Sequence, residues 1–168
     1  MLPVNFRSYR KKLSFYRKSF RNFLNKTAKE PPKGITRLIS NTEPLVWKEI
    51  DCLSCGNCCK KMTPTFTKKD ITRISAHFRE TPEAFTKKWL KKDSSKDVVN
   101  KTQPCQFLNL KDNKCSIYAI RPADCAGFPH LGNKNWKDYA PLHKQNIDYC
   151  PATYRFIEKI MELAEAKK

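Results

Sequence analysis

No run of apolar residues in this 168-residue sequence approaches the roughly 18 that a membrane-crossing helix needs. The opening residues, Met1 to Arg7, also lack the apolar stretch of about 7–15 residues of a secretory leader. The chain is therefore expected to be cytoplasmic. Acidic residues are missing altogether from residues 1–29. Apolar residues are in short supply as well: they make up 39% of the chain even when Tyr is counted, against roughly 45–50% in ordinary globular sequences. A chain of this length makes one domain with a modest core, so something besides apolar burial is expected to hold it. No familiar nucleic-acid-binding motif is present, although 34 basic against 16 acidic residues leave a net charge of +18. That excess implies attraction to RNA, anionic lipid or an acidic protein without choosing among them.

Cysteine is abundant. Asp51-Cys52-Leu53-Ser54-Cys55-Gly56-Asn57-Cys58-Cys59 places four in the pattern C-x-x-C-x-x-C-C, and Cys105, Cys115, Cys125 and Cys150 follow. In a reducing compartment disulfides are rare, and clustered cysteines are metal ligands or redox groups. A C-x-x-C turn aims two sulfurs at one point about 2.3 Å from each. A lone C-x-x-C would also suit a redox pair, but here that leaves six thiols unexplained.

The metal is zinc or iron. Eight cysteines suit two four-sulfur zinc sites, while C-x-x-C-x-x-C and the remote Cys150-Pro151 match part of the ferredoxin pattern for an iron–sulfur cluster. On an extended chain the adjacent Cys58 and Cys59 would point in different directions, which predicts more than one metal atom. Metal–thiolate bonds would also staple the lean core, because metal affinity delivered only in the folded state is folding energy, on the order of 10 kcal/mol for structural zinc.

Along the chain, Leu2, Phe6, Tyr9, Leu13, Tyr16, Phe20 and Phe23 recur at alternating spacings of four and three among nine basic residues. The spacing predicts a basic amphipathic helix over residues 1–30, its stripe widened by Phe15 and Leu24. Such a helix packs its aromatic stripe on the rest of the domain, or lies on an anionic membrane or along nucleic acid phosphates. Pro31, Pro32 and Gly34 end it, and residues 31–168 form the cysteine-cluster domain. Residues 35–50 are expected to be a shorter helical or irregular lead-in.

Thr67 with Asp70, and Thr81 with Pro82, are start signals for helices at about 68–78 and 82–91. Residues 92–103 read as a loop with a short strand at Val98-Val99. Alternation around the polar turn Lys111 to Lys114 predicts a hairpin joining residues 105–108 to 115–118. Cys150-Pro151 opens a C-terminal helix over about 151–167. The fold class is thus mainly α with one short β-hairpin, a small single domain stapled by cysteine-bound metal.

The run C-x-x-C-x-x-C-C, followed by Pro104-Cys105 with Phe107-Leu108, Cys115-x-Ile117-Tyr118, Arg121-Pro122-x-x-Cys125 and Phe128-Pro129, resembles the YkgJ-type cysteine cluster family, described as a zinc- or iron-chelating domain. The likeness covers about residues 50–151. It implies Cys52, Cys55, Cys58, Cys59, Cys105, Cys115, Cys125 and Cys150 as metal ligands, with Tyr118, Arg121, Pro122 and Pro129 as motif companions. It also extends to the cysteine-rich part of the much longer flagellin lysine N-methylases.

Arg121 beside eight thiolates would offset their negative charge through charge-assisted hydrogen bonds; its other reading is a cap on a surface turn. Asp51 and Asp124 are candidate oxygen ligands or exposed turn acids. His77, His130 and His143 are candidate nitrogen ligands or proton carriers. Three functions remain open: a metal-binding protein without catalysis, an iron–sulfur redox or methyl-transfer enzyme, and a metal-stapled RNA- or ribosome-associated basic protein.

Overall fold

A computed structural model describes residues 4–166; Leu2 of the predicted stripe and Lys167 of the predicted last helix lie outside them. The helices, in chain order, are α1 (Phe6–Lys29), α2 (Ile35–Glu49), α3 (Cys52–Cys55), α4 (Asn57–Lys61), α5 (Lys68–His77), α6 (Pro82–Trp89), α7 (Ala123–Gly127), α8 (Trp136–Asn146) and α9 (Pro151–Glu165). Strands β1 (Leu90–Lys92) and β2 (Val98–Asn100) form an antiparallel pair in the register Leu90 to Asn100. The fold is mainly α with one short hairpin. Two compact units can be told apart within it: residues up to Cys55 together with those from Pro129 onward, and residues Gly56–Phe128.

The first unit is a helical bundle in which α1 packs on α8 and α9, and α2 on α9. The Asn5 side chain caps α1 by accepting from the Ser8 N–H at 3.0 Å, as short polar residues at N-caps do. The Pro-Pro-x-Gly turn ends α1, and Gly34 enters α2 at φ +72°, in the left-handed region that glycine tolerates. α9 fills the centre of the bundle, with Phe156, Ile157 and Ile160 fully buried. From α1, Tyr9, Phe20 and Leu24 are buried, and the Tyr9 hydroxyl donates to the Ile147 carbonyl at 2.5 Å. Phe15, expected to widen the stripe, is instead 83% exposed. At 100° per residue it falls on the side of α1 opposite Leu24 and Leu13.

The second unit is built around Phe66, Ile74, Phe85, Leu90, Phe107 and Ile117, with Cys105 and Cys115 packed against that cluster. Phe85 and Phe107 stack with their rings 6.3 Å apart and nearly parallel. The capping box foreseen for α5 is present: Asp70 N–H donates to Thr67 Oγ1, and Thr67 N–H to Asp70 Oδ2. Thr81 caps α6 above Pro82.

The hairpin expected at 105–118 is present only in rudiment, with Ser116 N–H donating to the Phe107 carbonyl and Asn109 N–H to that of Lys114, both at 2.8 Å. Residues 105–118 keep a single bridge, Leu108 to Cys115, and the true pair is β1 with β2. α6 stops at Trp89 so that the next three residues can pair with residues 98–100. At 105–118 the backbone turns inward instead: the Cys105 N–H donates to the Cys59 carbonyl and the Leu108 N–H to that of Cys105. With the Cys105 and Leu108 N–H groups committed in this way, the pairing does not extend into a full ladder.

Candidate metal centre

The C-x-x-C-x-x-C-C run folds as two short helical turns, α3 and α4, separated by Gly56 at φ +54°. A side chain at Gly56 would meet Asn113 Cβ at 2.9 Å, so glycine is required by both conformation and space. Cys58 and Cys59 therefore sit on a helix rather than on an extended chain. Their sulfurs lie 3.9 Å apart. The expectation that they point in different directions fails because local helical geometry, with its 100° step, replaced the 180° alternation of a strand.

None of the eight cysteines forms a disulfide, and they divide between the units. Cys52, Cys55 and Cys150 belong to the bundle; Cys58, Cys59, Cys105, Cys115 and Cys125 belong to the cysteine-rich unit. Burial, then the charge of Cys150 and Cys55, pushes the Cys52 thiol up to about 12. Cys150 caps α9 with its sulfur, which accepts from the Thr153 N–H at 3.4 Å. Burial raises its thiol as well, against that N–H contact.

In the other unit, burial and then the charges of Cys59, Asp124, Cys105 and Cys115 push Cys125 up to about 12. Burial raises Cys105 to about 11 against the opposing Phe107 N–H, and Cys59 and Cys115 add repulsion. Cys115 is raised by burial too, opposed by the Ile117 N–H and by the Arg121 charge. Cys59 moves down instead, to about 7, chiefly through the hydrogen bond with Cys58.

A recurring local device appears here. Cys105 faces the N–H two residues on, Cys115 does the same, and Cys150 uses the N–H three residues on. These contacts suit thiolate sulfurs, which are strong acceptors once deprotonated. A metal displaces the proton that burial otherwise keeps on each sulfur. The donor chemistry thus fits zinc or iron. Among the described residues, though, no group of three or more His, Cys, Asp and Glu side chains stands ready to hold a metal.

Arg121 serves Tyr118 and Cys115 together. Its guanidinium carbon lies 4.0 Å from the Tyr118 ring centroid, Nη1 donates to the Tyr118 carbonyl at 2.7 Å, and its charge favours the Cys115 thiolate. Pro122 precedes α7, the turn that carries Cys125. Asp124 accepts from the Thr65 N–H and hydroxyl, and Asp51 accepts from the Leu53 N–H, so both acids have turn-fixing duties. His77 packs edge-on against Phe78. His130 lies at φ +63° with its ring 5.5 Å from that of Tyr139. His143 is a core histidine, 1% exposed and set among Trp136, Tyr139 and Phe156.

Sequence reasoning saw Asp70 only as half of a capping box. In the fold its buried carboxylate also accepts from Arg73 at 2.7 Å and from the Ala123 N–H at 3.2 Å, anchoring the start of α7 and hence Cys125. Arg73 extends the anchor by donating to the Arg121 carbonyl at 3.0 Å. Burial raises the Asp70 carboxyl, but the hydrogen bonds from Thr67, Arg73 and Ala123 outweigh it and hold the group below the usual carboxylate range. Only Arg121-Pro122, just ahead of α7, hints in sequence that this turn needs an anchor.

The family model CxxCxxCC, "Putative zinc- or iron-chelating domain", matches residues 51–151. The chain belongs to the CxxCxxCC family. A similar CxxCxxCC-region relative is the uncharacterized protein MJ0661 of Methanocaldococcus jannaschii, 33% identical over 109 residues, which are 61% of this chain and 57% of that protein. The chain thus spans little more than half the length of that curated relative. No solved structure matches this chain. Among the described residues no helix is long and apolar enough to cross a membrane.

Proposed function

We propose that this CxxCxxCC protein binds zinc or iron in two separate thiolate centres, one on Cys52, Cys55 and Cys150 and one drawn from Cys58, Cys59, Cys105, Cys115 and Cys125. The observation that carries this reading is the division of the thiols: Cys52 and Cys150, and Cys105, Cys115 and Cys125, feel the charge of other cysteines in their own unit. Charges that repel as thiolates are the charges a cation gathers. Arg121 beside Cys115 moderates the excess negative charge of the five-cysteine set. The role is metal binding in a reducing compartment such as the cytoplasm, with no reaction assigned.

A second reading, an iron–sulfur protein with redox or methyl-transfer activity, is favoured by one feature. A three-cysteine set leaves the fourth position of a tetrahedral ion or a cluster to another ligand, and open positions are where metal chemistry happens. Anaerobic purification followed by elemental analysis and an absorption spectrum tests both. Two zinc ions in a colourless protein would support the first reading and sink the iron–sulfur one. Broad absorption near about 400 nm with iron and acid-labile sulfide would do the reverse. Absence of both metals from protein purified without chelators would overturn the whole proposal. Cys125→Ser should remove metal from the five-cysteine set and Cys150→Ser from the other; loss of all metal in either variant would show a single shared centre.

A further inference from the structure

The bundle leaves one face of α1 without a partner, and that face is unlike the rest of the surface. Phe15 is 83% exposed and Tyr16 46%, their rings edge-to-face at 5.4 Å. Tyr16 in turn stacks on the buried Phe20 at 6.1 Å, so the exposed pair is anchored to the core rather than loose. Helical neighbours of Phe15 three, four and seven residues away are Ser8, Lys11, Lys12, Lys18, Ser19 and Asn22, all exposed. The helix contains no acid. Among the described residues Arg17, bound to Asp148 at 2.6 Å, is the α1 base with an acidic partner. The ring pair and the lysines around it, with no acid on the helix, join a stacking surface to a basic track.

From this geometry we infer that the Phe15 face of α1 binds single-stranded nucleic acid, bases stacking on Phe15 and Tyr16 while Lys11, Lys12 and Lys18 contact phosphates. Combined stacking platforms and basic tracks are how such strands are held without sequence preference. An anionic membrane is the weaker fit. Interfacial helices insert a broad apolar face, and the broad apolar face of α1, with Tyr9, Phe20 and Leu24, is already buried in the bundle. What is left outside is one ring pair, the right size for a base or two. The inference uses no cysteine and is independent of which metal is bound.

The test is fluorescence anisotropy of a labelled mixed-sequence RNA of about 20 nucleotides, long enough to span a typical single-strand site, with the full metal-loaded chain at two salt concentrations. Wild type should bind, more weakly at higher salt. Replacing Lys11, Lys12 and Lys18 together by Ser should reduce the salt slope by about 2, at roughly 0.7 per phosphate contact. Phe15→Leu should weaken binding about tenfold with the slope unchanged, since Leu offers no ring to stack on. Phe15→Trp should keep the affinity and show quenched emission on binding, which also covers a Leu variant that folds poorly. No RNA binding by wild type, a Leu variant that binds like wild type, or an unquenched Trp variant would overturn the inference. Binding to phosphatidylserine vesicles without RNA retention would hand the face to a membrane instead.

Discussion

The two units bury their cores by different means. In the bundle, Val46, Ala140, Ile147, Phe156, Ile157 and Ile160 are all at 0% exposure, contributed by α2, α8, α9 and the segment between the last two. Among the described apolar residues of the cysteine-rich unit Ile74 and Phe85 reach that level, and Cys105 and Cys115 are part of the packing around them. Full burial of a large apolar side chain is worth roughly 1.5–3 kcal/mol, so a bundle with five such positions besides Ala140 has a reserve that the other unit lacks. The contrast teaches where metal matters for folding. In the bundle a metal would add to a core already made, whereas in the cysteine-rich unit two of the proposed ligands, Cys105 and Cys115, pack directly against the core.

The strongest way to break that comparison is to strip the metal. Chelation under reducing conditions, followed by amide hydrogen exchange, should collapse protection across residues 56–128 while α1, α8 and α9 stay protected. The effect should be large, because a structural zinc contributes on the order of 10 kcal/mol to the fold it completes. Equal loss in both units would show that the bundle depends on metal too. Unchanged exchange in residues 56–128 would show that its aromatic cluster suffices.

A smaller effect, confined to the bundle, is expected from acid. Burial, with a minor contribution from the charge of His130, lowers His143 from its ordinary 6.5 to about 4. Its Nδ1 has no hydrogen-bond partner, and aromatic rings surround it. A histidine held neutral in the fold stabilises fully above its unfolded value. As pH falls below about 6.5 the unfolded chain takes up a proton that the folded one refuses, and stability drains until about pH 4, by roughly 3 kcal/mol in all. Asp70 sets a different window for the other unit. Its depressed carboxyl stabilises above the ordinary carboxylate range, and that stability is lost only as pH falls through the lower folded value. Between pH 6.5 and 4, then, exchange should quicken in α8 and α9 but not in α5. His143→Phe should flatten the bundle's response, and an unaltered slope in that variant would assign the sensitivity elsewhere.

What could be read from sequence follows the same division. α1 and α9 are long, periodic and capped, so their signals accumulate over several turns, and the Thr67 and Thr81 caps fix α5 and α6 within one or two residues. The exposed Phe15 was misread because an extra aromatic beside a stripe looks like more stripe; 100° per residue separates it from the buried side. α8 gives a weak signal, with Pro141 inside it and Trp136, Ala140 and His143 as its buried side. The C-x-x-C-x-x-C-C run names its ligands by composition, but its conformation depends on Gly56 meeting Asn113, a contact 57 residues away that no local pattern carries. The division of the eight thiols between two units is likewise a property of packing. Nothing in the spacing sets Cys52, Cys55 and Cys150 apart.

The finest test of the contrast compares one helix cap from each unit. Asn5 caps α1 at an exposed position through one bond to Ser8, and Asn5→Ala should cost about 0.5 kcal/mol, the low end of the range for lost caps. Thr67 caps α5 as well, but its hydroxyl also donates to Asp70 Oδ2 at 2.6 Å, and Asp70 is the 1%-exposed residue that holds the start of α7. Thr67→Ala removes a cap and a partner of a buried carboxylate together, so about 2 kcal/mol is expected, the upper end of the same range. Thr67→Ser should restore nearly all of it, since the bonds belong to the hydroxyl. Because Asp70 anchors the α7 turn, Thr67→Ala should also quicken metal loss from the five-cysteine set on challenge with a chelator. Equal costs for the two caps, with unchanged metal loss, would mean that Asp70 holds α7 without help from Thr67.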